Sequence, residues 1–517
     1  MVKKISTRYQ RFIPLIIVVI VIAIISLNVL NQIKPDFDNE QMEIYWPTVE
    51  WKTNTPESVG FDSVKLAQGL QIINQNNIKI HSLTIVRNSE IILDAYFYPY
   101  DGSIYHDLAS VTKSITTTLI GIAVDQGKID LDKPMVSYFP ERTIADLDER
   151  KEKITVRHLV SMTAGMRCDP LNDGQNLDSM RSSEDWVQHA LDRPMVMEPG
   201  TEWVYDSPGM HILSAIIQEA TGMTALEYAK EYLFEPLGIT EVWWANDPQG
   251  ITNGWGDLSL YPRDTAKIGF LFLQQGKWED SQIVSSKWIT DATTIQISTK
   301  EYRQEDYGYG WYISRKEEPI QFFRADGREG QRILVIPDMN LVLVTTGGGF
   351  ELDDVTPHLE AAIVDLQNPI SPNPNGVSQL DAVIAESGNK PEVLPTAQLP
   401  EIASVISGKV YEFGSDSPIY KSIRLDFNDS SIAKFYLEVT YEPVTRVARV
   451  GVDGLYRSSL VGRPVYALGT WIDDQTFKIE YNEGPGLNEF TFIMNFLDDI
   501  VACELVGFGK AEGRIIE

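Results

Sequence analysis

Cysteine is almost absent from this chain of 517 residues, which contains only Cys168 and Cys503. Two cysteines so far apart in sequence cannot build the dense disulfide framework of a small secreted domain. We interpret both as free or incidental thiols, and a single disulfide between two domains is the alternative. Hydrophobic residues make up 43% of the chain, which indicates a globular protein held by apolar cores.

Positive charge is also scarce. The chain has 44 Lys and Arg against 73 Asp and Glu, so its formal net charge is -29. A nucleic-acid-binding protein needs a basic face to neutralise phosphates, and adhesion to anionic lipid needs the same. We therefore predict no nucleic-acid partner.

Motifs for metals and nucleotides are missing as well. The sequence has no H-E-x-x-H, no cluster of Cys and His, and no phosphate-binding loop. We accordingly predict no metal and no cofactor.

A long hydrophobic run occurs at the N-terminus. Residues 12–30 contain no charged side chain and follow four Lys and Arg side chains within the first eleven residues. At about 1.5 Å per helical residue, this run nearly spans a hydrocarbon core of roughly 30 Å. A cleavable signal peptide is the alternative, but no small-x-small cleavage site ends the run. The sequence predicts an uncleaved signal anchor over residues 1–35: one transmembrane helix in the cell membrane, with the rest of the chain outside the cytoplasm.

The length predicts two folded domains with appendages. Residues 36–367 form the first unit. Residues 368–401 are rich in proline and predict a linker, with a short helix over residues 380–386 as the alternative, so we expect few contacts to cross this region. Residues 402–517 contain short alternating runs between turns, which predict a small β-barrel or β-sandwich domain.

The most informative stretch is residues 108–123, with Ser110 and Lys113 at its start. Apolar residues recur after Lys113 at helical spacing, with β-branched residues between them that suit a helix only when buried. Residues three apart share a helix face, so the lysine amine can reach the serine hydroxyl. A nucleophile with an adjacent base is the arrangement of covalent catalysis. The start of the helix adds the free backbone N–H of Ser110, which can stabilise an oxyanion.

A structural interpretation competes with the catalytic one. Ser110 could be an N-cap and Lys113 a solvated surface residue. However, Lys113 is surrounded by apolar residues, and burying an unpaired ammonium is costly. Burial would depress its pKa toward the range of a usable base, so we favour the catalytic interpretation.

The stretch H-D-L-A-S-V-T-K-S, followed by G-I-A-V-D-Q-G-K-I, resembles the nucleophile helix of the serine β-lactamase and penicillin-binding-protein superfamily. It is most similar to the branch of class C β-lactamases, esterases and 6-aminohexanoate-dimer hydrolases, over about residues 60–366. The resemblance implies an α+β fold class, with an antiparallel sheet flanked by helices and a mostly helical subdomain. Two β-rich runs, 81–87 and 90–97, start this sheet, and four strand candidates between residues 307 and 346 rejoin it.

Two further elements match the family in order and spacing. In Val204-Tyr-Asp-Ser207, Tyr205 takes the position of the family's proton-relay tyrosine and Ser207 the position of its substrate-holding Asn. Ala325-Asp-Gly327 stands where the family has K-T-G, with Gly327 retained and the lysine replaced. The resemblance implies an oxyanion hole formed by the backbone N–H groups of Ser110 and Arg328.

These features predict an extracytoplasmic, membrane-anchored serine hydrolase that cleaves a small ester or amide through an acyl-enzyme. The predicted catalytic residues are Ser110, Lys113 and Tyr205, and the predicted oxyanion and substrate-binding residues are Ser110, Ser207, Gly327 and Arg328. A D,D-peptidase acting on cell-wall peptide is the alternative enzyme. A catalytically inactive receptor for a cell-wall ligand is an alternative of a different class.

Overall fold

The computed structural model describes residues 44–516, except for positions 170–171, 300–301, 393–398, 415–416, 418–419, 428–430, 440–444, 461–463 and 485–487. The first part of this chain is a mixed α/β domain built on a seven-stranded antiparallel sheet. The strands of this part are β1 (Ile80–Arg87), β2 (Glu90–Tyr96), β3 (His106–Asp107), β4 (Trp243–Trp244), β5 (Leu258–Leu260), β6 (Lys277–Trp278), β7 (Ser281–Gln282), β8 (Asp306–Tyr307), β9 (Tyr312–Ile313), β10 (Phe323–Gly327), β11 (Gln331–Ile336) and β12 (Leu341–Gly347).

The sheet has the order β2-β1-β12-β11-β10-β9-β8, so the strands before the nucleophile pair directly with the strands that close the domain. The α-helices of the chain are α1 (Ser63–Gln75), α2 (Val111–Asp125), α3 (Glu149–Glu152), α4 (Val156–Val160), α5 (Asp173–Arg181), α6 (Trp186–Asp192), α7 (Ser207–Thr221), α8 (Ala225–Ala229), α9 (Pro262–Leu273), α10 (Ser286–Ala292), α11 (Thr356–Glu360), α12 (Pro374–Ser387) and α13 (Glu401–Ile406).

Both faces of the sheet are buried, which explains why β12 begins with four consecutive apolar residues, 341–344. Leu341 and Leu343 pack in one core with helix α1, whereas Val342 and Val344 pack in the other core with helices α2 and α9. Alternating side chains of a strand point to opposite faces, so each core receives every second residue. The helical region between β3 and β8 covers one face, and the site lies on that side.

The region that the proline content predicts to be a linker, residues 368–401, contains helix α12. Asn373 caps it by accepting from the Gly376 N–H at 3.0 Å, and Pro374 occupies its first turn, where proline is well tolerated. Leu380 and Val383 are buried in the core around α1. Helix α12 therefore belongs structurally to the first domain.

The C-terminal region is a barrel. Its strands are β13 (Val410–Phe413), β14 (Tyr420–Asp426), β15 (Ile432–Val439), β16 (Thr445–Gly451), β17 (Arg457–Ser459), β18 (Val465–Trp471), β19 (Thr476–Glu483), β20 (Asn488–Leu497), β21 (Ile500–Leu505) and β22 (Gly509–Ile515). They follow the order β16-β15-β14-β13-β22-β21-β20-β19-β18-β17, and a parallel bridge from β16 to β18 closes the barrel. Alternate residues of β15 fill the interior, as the period of a strand requires.

The barrel also contacts the first domain, contrary to the expectation of few contacts across the linker. Tyr100, Ile104 and Tyr466 form a buried cluster between the two parts, and Lys79 makes a 3.7 Å ion pair with Glu489. The cysteines are both free thiols, as predicted.

The predicted fold class requires a correction, because it included an N-terminal transmembrane helix. Throughout the part of the chain that the structure describes, no helix is both long enough and apolar enough to cross a membrane. The segment predicted as the anchor, residues 1–35, lies outside the described residues. The architecture is a mixed α/β domain followed by a closed barrel.

Candidate active site

The chain enters helix α2 through a constrained turn. Ala109 adopts a positive φ of 47°, which is unfavourable for a residue with a side chain, and Asp107 accepts a 2.7 Å hydrogen bond from the Ala109 N–H. Ser110 follows at the N-cap, but its side chain caps no backbone N–H. The hydroxyl is therefore available for chemistry, and the structure disfavours the purely structural interpretation of Ser110.

Buried hydroxyl groups hold helix α2 in a fixed rotation. Ser114 donates to the Gly310 carbonyl at 2.6 Å, Thr116 to the Gly254 carbonyl at 2.8 Å, and Thr117 to the Tyr309 carbonyl at 3.0 Å. These bonds satisfy loop carbonyls that would otherwise be buried without partners. Because the helix is fixed on these sides, its first turn presents Ser110 and Lys113 together.

Lys113 lies within hydrogen-bond distance of the candidate nucleophile. Its Nζ is 2.9 Å from the Ser110 Oγ and 2.8 Å from the Trp255 carbonyl oxygen, and the residue is only 2% exposed. Burial lowers the pKa of the Lys113 ammonium from 10.5 to about 8, although nearby carboxylates, chiefly Asp173 and Asp206, act in the opposite direction. About a tenth of this amine is thus unprotonated at pH 7, and this fraction can accept a proton.

Tyr205 completes the cluster. Its phenol faces Ser110, whose hydroxyl favours the ionised form of that phenol, and the Lys113 Nζ lies 4.8 Å from the Tyr205 ring centroid. Burial raises the pKa of the Tyr205 phenol, so the hydroxyl stays protonated and can relay a proton. The next residue, Asp206, caps helix α7 through the Gly209 N–H and forms a buried bidentate ion pair with Arg193. This pair fixes the loop that carries Tyr205.

Ser207 is buried and has a different contact from the one that the family position implies. Its hydroxyl donates to the Asp173 Oδ2 at 2.8 Å, so it holds a carboxylate at the edge of the site. The other oxygen of Asp173, Oδ1, is buried and has no hydrogen-bond partner among the described residues. Asp173 starts helix α5, 34 residues before Ser207, and no local pattern in the sequence marked it.

The end of strand β10 passes directly beside the nucleophile turn. A Cβ on Gly327 would lie 2.7 Å from the Leu108 carbonyl oxygen and 3.2 Å from the Ala109 Cβ, so this close approach requires glycine. Ala325 is fully buried on the same strand. Arg328 is exposed and begins a short 3₁₀ turn, and its role as the second oxyanion donor stays a prediction.

A second cation approaches the site from a loop that the motif analysis did not identify. Arg303 makes a 2.9 Å ion pair with Asp326, and its guanidinium lies 4.8 Å from the Tyr312 ring centroid. Its charge also favours the ionised form of Tyr205, so the guanidinium is electrostatically close to the relay residue. Arg324 pairs with Glu305 at 2.9 Å. Across the described ranges, no group of three or more His, Cys, Asp or Glu side chains is arranged to hold a metal ion.

The fold and this Ser-Lys-Tyr cluster are those of β-lactamase-type serine hydrolases. A family profile described as Beta-lactamase matches residues 74–363, which is more than half of the chain. The chain belongs to this family, and the predicted resemblance is confirmed.

Relatives of known name match parts of the chain. Monacolin J acid methylbutanoyltransferase of Aspergillus terreus is 32% identical over 152 residues, which are 26% of this chain and 37% of that protein. The chain thus spans just over a third of the length of this relative. The 6-aminohexanoate-dimer hydrolase of Paenarthrobacter ureafaciens is 24% identical over 277 residues, or 50% of this chain and 70% of that protein.

A solved structure from Bacillus anthracis, provisionally assigned as a 6-aminohexanoate-dimer hydrolase, has a similar fold. It aligns with a TM-score of 0.50 and 18% sequence identity, and the alignment covers 66% of this chain and 87% of that one. At this identity the likeness supports the fold alone.

Proposed function

We propose that this protein hydrolyses small esters or amides through an acyl-enzyme on Ser110. The observation that carries the proposal is the 2.9 Å contact between the Ser110 Oγ and the Nζ of the buried Lys113, whose pKa is lowered to about 8. A serine hydroxyl is a weak nucleophile until an adjacent base removes its proton. In this cluster the base is already in hydrogen-bond contact with the hydroxyl.

In the mechanism, the unprotonated Lys113 amine takes the Ser110 proton as the Oγ attacks the substrate carbonyl. The tetrahedral oxyanion is stabilised by the backbone N–H of Ser110 and, by family analogy, that of Arg328. Tyr205, which lies beside Ser110 and Lys113, relays the proton held by Lys113 to the departing alkoxide or amine. Water then attacks the acyl-enzyme, and the same groups take a proton from this water and deliver it to the Ser110 Oγ as the acid product leaves.

The proposal is tested by incubating the protein with p-nitrophenyl esters, linear amides, D-Ala-D-Ala peptides and β-lactams while following intact mass and product release. Acylation with turnover of esters or amides supports it. Turnover restricted to D-Ala-D-Ala peptides would instead identify a D,D-peptidase. A protein that binds these compounds but never becomes acylated would be a receptor.

Carboxylate-bearing β-lactams should be poor substrates. In the family, the lysine of K-T-G supplies positive charge toward the substrate carboxylate, and the buried Ala325 cannot do so. Arg328 is exposed, so its charge is screened by solvent. We expect turnover of penicillins and cephalosporins to be weak or absent beside clear activity on neutral short-chain esters. Efficient penicillin hydrolysis would contradict this, and its loss in Arg328→Ala would show that the arginine replaces the lysine.

The pH profile should report the ionisation of Lys113. Activity requires the neutral amine, so kcat/KM should rise with pH through an apparent pKa near 8. The Asp173 carboxylate favours the charged amine and raises its pKa, so Asp173→Asn should move the midpoint to lower pH. Asp178→Asn, on the exposed side of the same helix, is the matched control and should not move it. A midpoint that is unchanged in Asp173→Asn, or raised by it, would contradict this assignment.

A further inference from the structure

Residues 97–105 connect strand β2 to strand β3 and lie between the barrel and the nucleophile turn. On the barrel side, the Tyr466 ring packs edge-on against Tyr100 with 4.8 Å between centroids. The Tyr456 backbone N–H donates to the Tyr98 hydroxyl at 3.0 Å. Tyr100, Ile104 and Tyr466 are each less than 10% exposed, so the barrel buries one side of this segment.

The other side of Tyr100 leads toward Ser110. Its ring stacks on His81 with 3.7 Å between centroids, and the His81 Nδ1 lies 2.9 Å from the His106 Nε2. The His106 Nδ1 is 2.8 Å from the Asp107 carbonyl oxygen. A carbonyl only accepts, so His106 carries its proton on Nδ1 and its Nε2 accepts from the His81 Nδ1–H. Both rings are neutral, because burial lowers both pKa values, that of His106 to about 4.

This series of contacts ends at the constrained turn. The Asp107 side chain accepts from the Ala109 N–H, and Ala109 holds the positive φ that presents Ser110. Such a conformation persists only where its surroundings hold it in place. Backbone hydrogen bonds fix the start of this segment, from the Phe97 N–H to the His81 carbonyl and from the Tyr98 N–H to the Ser387 carbonyl. Further along, Tyr100 and Ile104 are positioned by packing against Tyr466, and packed interiors transmit displacement.

We propose that the C-terminal barrel is a positioning part of the active site, with Tyr466 bracing Tyr100 and, through the His81–His106 pair, the turn that presents Ser110. The proposal rests on the proposed hydrolase function. Tyr466 touches no reacting atom, so it should affect the rate of acylation and not the affinity for substrate. It also implies that the barrel cannot be treated as an independent appendage.

The test compares two buried barrel tyrosines in the full chain. Tyr466→Leu removes the ring that contacts Tyr100, whereas the control Tyr411→Leu removes a ring that packs on Phe496 inside the barrel. We expect Tyr466→Leu to lower kcat for a p-nitrophenyl ester, and the rate of fluorophosphonate labelling, by about fivefold or more with KM nearly unchanged. Tyr411→Leu should lower the thermal stability while leaving kcat unchanged. Tyr466→Phe keeps the ring and should restore the wild-type kcat.

Three results would contradict the positioning role of Tyr466. These are a wild-type kcat in Tyr466→Leu, equal losses of kcat in Tyr466→Leu and Tyr411→Leu, and no rescue by Tyr466→Phe. If Tyr466→Leu does not fold, Tyr98→Phe replaces it, since it removes only the hydroxyl that accepts from Tyr456. This variant should lower kcat about twofold and cost about 1 kcal/mol of stability, so it stays folded. An unchanged kcat in Tyr98→Phe contradicts the proposal that the barrel positions the nucleophile turn. A wild-type protein that is never acylated contradicts the hydrolase function itself. An active wild type whose kcat is unchanged by Tyr466→Leu contradicts only the positioning role of Tyr466.

Discussion

Ser110→Ala should abolish formation of a covalent adduct with a fluorophosphonate and lower kcat/KM for esters by about 10⁴-fold or more. The reason is that the hydroxyl is the only group in the Ser-Lys-Tyr cluster placed to attack a carbonyl with a base 2.9 Å away. The fold should survive, since the Ser110 side chain caps no backbone N–H and its loss costs about 1 kcal/mol at most. Intact-mass spectrometry and thermal unfolding measure the two effects.

Ser114→Ala is the matched control for this experiment. Ser114 lies one turn further along helix α2, and its hydroxyl donates to the Gly310 carbonyl rather than facing Lys113. Its loss should cost about 1 to 2 kcal/mol of stability, because the carbonyl loses its donor, while adduct formation continues. If Ser110→Ala still gains the mass of the adduct, another residue is the nucleophile.

The parts of the site that were predictable are those encoded by local sequence. The β-branched residues after Lys113 indicated a buried helix, and the structure explains them, since hydroxyls such as that of Thr116 bond to surrounding loops. Strands β1, β2, β11 and β12 were predictable for a similar reason, because each is a short run rich in apolar and β-branched residues next to a turn. Tyr205 was found from the order of motifs, which survives where the intervening loops vary.

The parts that were missed depend on contacts between distant positions. Asp173 reaches Ser207 across 34 residues, and Arg303 reaches Asp326 across 23. Neither has a signature in its own neighbourhood, so only the folded chain brings them together. The contact between Tyr100 and Tyr466 is also a contact between distant positions. It joins the first domain and the barrel, which the proline-rich composition of residues 368–401 predicted to be separate.

Helix α12 shows a different source of error. The prolines of residues 368–401 predicted a linker, with a short helix over residues 380–386 as the alternative, but proline disrupts a helix only in its interior. Pro374 lies in the first turn, where no backbone N–H is needed, and the apolar residues behind it are free to pack on α1. A proline-rich composition therefore did not distinguish a linker from a helix start.

Lys113→Met should lower kcat/KM by about 10² to 10⁴-fold, the range expected when a general base is removed. Methionine has a similar length and no titratable group, so it preserves packing while removing the proton acceptor beside Ser110. The rise in activity through pH 8 should vanish with it, because that rise belongs to the Lys113 amine. Steady-state kinetics from pH 6 to 10 on a p-nitrophenyl ester measure both changes.

The same substitution should stabilise the fold. The pKa of Lys113 falls from 10.5 in the unfolded chain to about 8 in the folded one, so the unfolded chain binds the proton more tightly. Below pH 8 this difference destabilises the wild type by on the order of 3 kcal/mol, and the penalty fades as the pH rises to 10.5. The Trp255 carbonyl loses a donor in the variant, which offsets part of the gain, about 1 kcal/mol.

Lys267→Met tests whether removing any buried lysine raises the free energy of unfolding, as we expect for Lys113→Met. Lys267 is also buried, but it forms a 3.0 Å ion pair with Asp264, whose pKa burial raises. Removing it leaves a carboxylate buried without its partner, so the free energy of unfolding should fall while the ester activity remains. A Lys113→Met variant that is as active as the wild type would contradict the role of Lys113 as the base. A variant that is less stable than the wild type at pH 7 would contradict the lowered pKa of its amine.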